Sequence, residues 1–364
     1  MLLGIYYLNN LNMSLSLQSL LKSEFSISSL ESYFDLTRPF LILLAIGFFS
    51  SLITVAIIKQ KLSQQLVDIP NERSSHIQPT PRGGGLGFII AFAIATGLNQ
   101  FFSIYQINSE QYLLWLSLIP LILIGIIDDW KGVPAGIRYL VQLLTSSLVV
   151  IQCGTFPFPI LSQFGAAGDI ISILLTIIGI TAIINFYNFM DGLDGLVAGV
   201  TTVQLGFLAI CFNQPLNWLA VAVLIGFLYW NWSPAKIFMG DAGSTFLGAI
   251  IAIALLNNTN HPGSIWSALT ITLPLTGDAV YTIICRLMRG ENIFKAHRTH
   301  LYQRLQQSGW SHAQVATTYI VFTLFIANLN SLLGETGAWI SLVLIIVAIF
   351  VGETYLNQQQ LSHR

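Results

Sequence analysis

Long apolar runs separated by short polar segments fill most of the chain. Eleven runs are candidates for spanning helices, at about 39–59, 84–103, 111–127, 137–153, 170–189, 195–212, 216–232, 244–257, 264–285, 313–330 and 336–356. A helix needs about 20 mainly apolar residues to cross about 30 Å of hydrocarbon. The runs are continuous and do not alternate, which argues against strands. Several contain Gly or Pro, which a helix bundle tolerates. No internal repeat and no low-complexity segment interrupts them. The pattern predicts an all-α fold, a polytopic membrane helix bundle of about eleven transmembrane helices. It divides the chain into an N-terminal tail over 1–38 with no assigned role, one transmembrane domain over 39–356 and a short C-terminal tail over 357–364.

Composition agrees. Charged residues are 9% of the 364 and hydrophobic residues 54%, whereas soluble domains carry about 25% charge. The net charge of −1 gives no basic excess for nucleic acid. Cys153, Cys211 and Cys285 lie in or beside apolar runs, without disulfide or metal spacing. The tail lacks a basic segment followed by a long apolar one, so a cleaved signal peptide is not expected. With the N-terminus outside, 13 of the 15 Lys and Arg residues fall in inner segments and none in the outer loops. That asymmetry makes the inner face cytoplasmic and puts the C-terminus inside.

The inner loops also gather carboxylates. Asp128 and Asp129 close the third run in GIIDDW, Asp191 and Asp194 follow the fifth in NFYNFMDGLDGL, and Asp241 precedes the eighth in IFMGDAGS. An adjacent Asp pair can be a solvated helix end. Here it follows an uninterrupted apolar run, where two like charges repel unless a cation or a shared proton relieves them. A divalent ion does so most simply, and Mg²⁺ favours a few carboxylates together with water and phosphate. Asn185, Asn188, Asp191 and Asp194 recur every third residue, which places neighbours on one side of a helix. A helix cap needs one such residue, not four. Asp241 can be a plain N-cap, but its flanking glycines also allow close approach of a ligand. Phe238 can stack on a base or anchor at the interface.

Two loops add positive charge. The loop at 61–84 contains His76, Arg82 and the run Gly83-Gly84-Gly85, which fits neither the P-loop nor the dinucleotide fingerprint. The loop at 286–312 carries RLMRGENIFKAHRTHLYQRL. Its His297 and His300 have no third soft ligand nearby, so cationic groups for a diphosphate suit it better than zinc. Asp278 lies inside the ninth run, and an acid there is a functional candidate. Arg286 is about 12 Å along the same helix, so a partner on another helix is expected.

These motifs together resemble the polyprenyl-phosphate N-acetylhexosamine-1-phosphate transferases, a family that includes the phospho-N-acetylmuramoyl-pentapeptide transferases. HIQPTPRGGG, GIIDDW, NFYNFMDGLDGL, IFMGDAGS and the basic His loop match in order, over about residues 60–305. The resemblance implies Mg²⁺-dependent transfer of a sugar 1-phosphate from a UDP-N-acetylhexosamine to undecaprenyl or another polyprenyl phosphate, with release of UMP. It implies a multi-pass protein of the inner (plasma) membrane with its active site on the cytoplasmic face. Mn²⁺ is an expected substitute, and a homodimer is compatible with it. By the same resemblance Asp128 or Asp129 accepts the proton of the lipid phosphate or holds it for attack, and Asp191 joins them as a catalytic carboxylate. Asn188 and Asp241 ligate the metal. Asp194 bonds the uracil, Phe238 stacks on it, and Arg298 and His300 hold the diphosphate. Asn185 and Arg82 complete the substrate-binding groups.

One departure stands out. Tyr302 and Gln303 occupy positions where many family members carry further histidines. The departure points to the branch that starts O-antigen and exopolysaccharide synthesis rather than to the peptidoglycan enzyme. A secondary transporter is the rival from another class. It would place its acids near the midplane, often within repeats. A scaffold without chemistry would not need these ordered acidic motifs, and no CDP-alcohol phosphotransferase motif is present.

Overall fold

The computed structural model describes residues 27–62, 65–70, 75, 78–105, 109–257, 262–293, 295 and 297–362. His76 and the tail over 1–26 lie outside the described residues. The chain divides into a unit at 1–43 and a unit at 44–364. The described part of the first is the beginning of helix α1 (Ile27–Leu62). The second contains the rest of α1 and every element named below.

The apolar runs fold as helices. They are α2 (Gly84–Phe102), α3 (Ser109–Leu116), α4 (Ile119–Lys131), α5 (Ala135–Cys153), α6 (Gly165–Met190), α7 (Leu196–Cys211), α8 (Pro215–Asn231) and α9 (Asp241–Leu256). There follow α10 (Pro262–Leu269), α11 (Leu273–Met288), α12 (Leu301–Gln307), α13 (His312–Leu333) and α14 (Glu335–Ser362). Two expected runs are broken. The third becomes α3 and α4, with Pro120 in the first turn of α4, and the ninth becomes α10, a 3₁₀ turn and α11, with Pro274 in the first turn of α11. Proline has no N–H to donate and suits a first turn, so a helix restarts there.

Eight helical stretches among the described residues are long and apolar enough to cross a membrane: 38–62, 84–102, 113–131, 135–153, 161–190, 265–288, 312–333 and 335–359. The chain is a multi-pass membrane protein. The other three of the eleven expected runs fold as shorter apolar helices, α7, α8 and α9. At 16 or 17 residues each, they extend about 24–26 Å, less than the hydrocarbon thickness.

Helix α9 occupies the core. Every residue from Ala242 to Leu256 is buried, as expected of a helix apolar all round. It packs against α6, α4, α2 and α7. The only strands among the described residues are two residues each: Val67–Asp68 pairs antiparallel with Thr80–Pro81. This pair lies beside the end of the bundle where α9 begins, because Phe238 N–H donates to Pro81 O at 2.8 Å.

Candidate active site

The polar residues converge at the N-terminus of α9. Asp129, from the last turn of α4, accepts hydrogen bonds from the backbone N–H groups of Asp241 at 2.9 Å and Ala242 at 3.3 Å. It therefore caps α9 from another helix and satisfies donors that α9 cannot pair internally. Arg82 holds it in turn, with Nε 3.5 Å from its Oδ1 and NH2 donating to its carbonyl at 2.8 Å. Asp128 faces the other way. It accepts from Val133 N–H at 2.6 Å and from Arg138 NH1 at 2.7 Å, and the same NH1 lies 3.9 Å from Asp241 Oδ2. The two adjacent acids thus have separate cationic partners.

Asn188, in the last turn of α6, contacts Asp241 Oδ1 at 2.8 Å and Ser244 Oγ at 3.0 Å through its amide nitrogen. Three residues on, Asp191 ends that helix. Among the described residues its carboxylate has no hydrogen-bond or ion-pair partner. Burial raises it well above the usual carboxylate range, and the charges of Asp241, Asp129 and Asp194 add to this. Asp194 is held from two sides. It accepts from Ala235 N–H at 3.1 Å and lies 3.2 Å from His312 Nδ1.

Two cavities meet here. The first, about 370 Å³, is lined by Asp68, Arg82, Asn188, Asp191, Asp194, Phe238, Asp241, Gln303 and His312, among others. The second, about 270 Å³, mixes Asp128, Arg138, Asn185, Lys295, His297 and His300 with Tyr139, Ile283 and Ile293. Among the described residues, only Asn188, Asp241 and Gln303 line both. Of the residues singled out from the sequence, Arg82, Asp191, Asp194 and Phe238 face the first cavity. Asp128, Asn185 and His300 face the second. Asn185 spends its amide nitrogen on Gln142 Oε1 at 2.6 Å and Thr181 O at 2.8 Å. Asp129 touches neither cavity. Arg298 lines neither and donates to Ser75 Oγ at 3.2 Å.

Two N–H groups of the glycine run are already committed. Gly84 and Gly85 donate their N–H groups to Phe238 O at 2.9 Å and Met239 O at 2.8 Å, leaving neither for an anion. Asp278 has the partners on other helices that its distance from Arg286 required. It accepts from Leu301 N–H at 2.8 Å, Tyr302 N–H at 3.0 Å and Tyr319 Oη at 2.8 Å. It thereby caps α12, the helix that carries Gln303 and begins just after His300. The sequence reading missed His312, 118 residues from Asp194, and gave Arg138 no role in the site. Only the second had a signal, a cation ten residues after an unpaired acid. Among the described residues no three His, Cys, Asp or Glu side chains form a ready-made metal cluster. The oxygen donors at the junction of the cavities are instead Asp241 and the Asn188 amide.

Known proteins are similar to this chain over most of its length. The model of glycosyl transferase family 4 matches residues 112–258, the stretch that supplies Asp128, Asn188, Asp191 and Asp241. A probable undecaprenyl-phosphate N-acetylglucosaminyl 1-phosphate transferase of Bacillus subtilis is 29% identical over 85% of this chain and 90% of its own. A decaprenyl-phosphate N-acetylglucosaminephosphotransferase of Mycolicibacterium smegmatis is 30% identical over 78% of this chain and 80% of its own. A phospho-N-acetylmuramoyl-pentapeptide-transferase of Deinococcus radiodurans is 30% identical over 67% of this chain and 82% of its own. With the acidic motifs in one constellation and such relatives aligned along most of both chains, this protein belongs to glycosyl transferase family 4.

Proposed function

We propose that the protein transfers N-acetylhexosamine 1-phosphate, in the first instance GlcNAc 1-phosphate, from its UDP-sugar to a polyprenyl phosphate. The observation that carries this reading is the junction itself. A polar cavity with an aromatic wall suits a nucleotide, and a half-apolar, cationic cavity suits a lipid phosphate. They share Asn188, Asp241 and Gln303.

In the reaction, an oxygen of the lipid phosphate attacks the phosphorus that bears the sugar. The diphosphate P–O bond breaks, UMP leaves, and a lipid-linked sugar diphosphate forms. Arg138 and Lys295 draw the lipid phosphate into the second cavity. Asp128 lines that second cavity and Asp191 the first, on either side of Asn188 and Asp241, and a carboxylate at this junction takes the proton of that phosphate. Asp194 and Phe238 hold the base of the nucleotide. Asp241 and Asn188 would hold Mg²⁺ through their side-chain oxygens. The fit rests on hard oxygen donors and on the neighbouring carboxylates Asp241, Asp129 and Asp194, whose charge adds to burial in raising Asp191. When bound, Mg²⁺ neutralises charge on the moving phosphoryl group. In this reading the site faces the cytoplasm, where nucleotide sugars are made, from the plasma (inner) membrane.

Tyr302 and Gln303 in place of histidines favour the branch that starts O-antigen-like or exopolysaccharide-like polymers. The Deinococcus relative supports a second reading, a phospho-N-acetylmuramoyl-pentapeptide transferase. The test supplies purified protein and Mg²⁺ with undecaprenyl phosphate and either UDP-GlcNAc, other UDP-N-acetylhexosamines or UDP-MurNAc-pentapeptide. UMP and a lipid-linked product are expected with UDP-GlcNAc. Asp128→Asn, Asp191→Asn and Asp241→Asn should each lose about 10²-fold or more in kcat, and Asp129→Asn should lose most activity. No turnover with any donor, alongside ion-driven solute uptake into vesicles, would replace the reading with a transporter.

A further inference from the structure

Beside the site, at the same end of the bundle, two lysines converge on one indole. Lys59 Nζ, near the C-terminus of α1, lies 5.2 Å from the ring centroid of Trp230. Lys236 Nζ lies 5.4 Å from the same ring and 4.6 Å from the ring of Tyr229. The indole is fixed, because Trp230 Nε1 donates to Leu52 O at 3.1 Å. The Lys236 backbone is fixed as well, donating to Trp230 O at 2.8 Å. Among the described residues neither ammonium has a carboxylate within 4.0 Å.

Two like charges held over one ring repel. The ring faces attract each ammonium but satisfy few of its N–H donors. An anionic oxygen group at the edge of the indole, within reach of both flexible side chains, relieves both conditions. We infer that Lys59, Trp230 and Lys236 form a binding site for the phosphate of an anionic phospholipid headgroup. The surroundings select a lipid over a free anion. Ile225 and Tyr229 lie four residues apart on one face of α8, and both are exposed, at 47% and 59%. They offer an acyl chain an apolar track leading up to the lysines. Lys59 lies near the end of a span and is half-buried, a place where a lysine lays its stem along apolar surface and keeps its charge at the interface. Juxtamembrane lysines attract anionic lipids in this way.

The site has a route to the chemistry. Lys236 sits between Ala235, whose N–H holds Asp194 at 3.1 Å, and Phe238, which lines the first cavity. A bound headgroup therefore steadies the loop at 232–240.

The test measures lipid retention and does not depend on the substrate. The full-length protein is exchanged into detergent containing equal phosphatidylglycerol and phosphatidylcholine, and bound lipid is read by native mass spectrometry. The wild type should retain phosphatidylglycerol in preference. Lys59→Gln with Lys236→Gln should retain about tenfold less of it and unchanged phosphatidylcholine, while Lys59→Arg with Lys236→Arg restores the preference. Equal phosphatidylglycerol retention by wild type and the Gln variant overturns the site. So does displacement of the lipid by millimolar inorganic phosphate, which would make it a free-anion site.

Discussion

Asp128 and Asp129 are neighbours in sequence and opposites in task. The pair is legible as a pair, since two acids after an apolar run need relief from one another. Their division of labour is not legible, because it depends on Arg82 and Arg138 from other elements and on the exposed donors of α9. His297 shows the same dependence on surroundings. From its spacing it reads as a cation for a diphosphate. Burial, together with His300 and Arg286 nearby, pushes its imidazole down to about 4. It is neutral at pH 7, and Arg138 and Lys295 remain as the fixed charges of that cavity. The unfolded imidazole takes up its proton near 6.5 and the folded one only near 4. Between those values the unfolded chain binds more protons. Its contribution to stability is therefore fully present above about 6.5 and falls as pH drops through that window. Thermal midpoints in micelles from pH 7 to pH 4 should show it. His297→Gln should flatten the decline, and an unchanged slope would place the titrating group elsewhere.

At the scale of elements, the site is built by helices that cap one another. Asp129 of α4 caps α9, and Asp278 of α11 caps α12. Both carboxylates are buried, at 7% and 3% exposed, and each meets two consecutive backbone N–H groups. A buried acid of this kind resembles a catalytic residue in the sequence, since both roles call for a charge in an apolar segment. Partners separate the roles, and those of Asp278 are mainly structural backbone and Tyr319 groups, with the buried His300 imidazole also 3.8 Å from its Oδ1. Its removal should therefore act first on folding. Asp278→Ala strips the α12 cap and its Tyr319 bond, and should cost about 2 kcal/mol or more, read as a lower unfolding midpoint in micelles. Asp278→Asn keeps one acceptor oxygen and should lose less. Activity should fall with stability in both, because α12 carries Gln303 to the junction. Full stability with lost turnover would instead return Asp278 to the chemistry.

At the scale of the whole molecule, the apolar pattern located the helices because every spanning segment must satisfy its own backbone in lipid. It did not separate the eight long helices from the three shorter ones, because a buried short helix and a membrane-crossing one share the same composition. Helix α9 is the clearest case, with its whole apolar surface taken up by protein. What brings the acids together around it is the closeness of its neighbours, and that depends on residues with no side chain to notice. A Cβ at Gly125 of α4 would lie 2.5 Å from Ala242 Cα and 2.8 Å from its nitrogen. Gly125 thus sets the spacing between the helix that carries Asp128 and Asp129 and the helix that begins with Asp241. Gly125→Val should force these helices apart, at about 1–3 kcal/mol in stability. The shift falls where Asp129 caps α9, so turnover should drop well beyond what the stability loss accounts for, since small misplacements at a reacting centre cost about 10²-fold. Gly97→Ala on α2 is the control, because nothing lies within 4 Å of the added carbon, and it should leave turnover intact. Paired measurements of unfolding midpoint and UMP release decide the matter. If Gly125→Val kept wild-type turnover, the spacing of α4 and α9 would not govern the site, and the convergence of its carboxylates would need another cause.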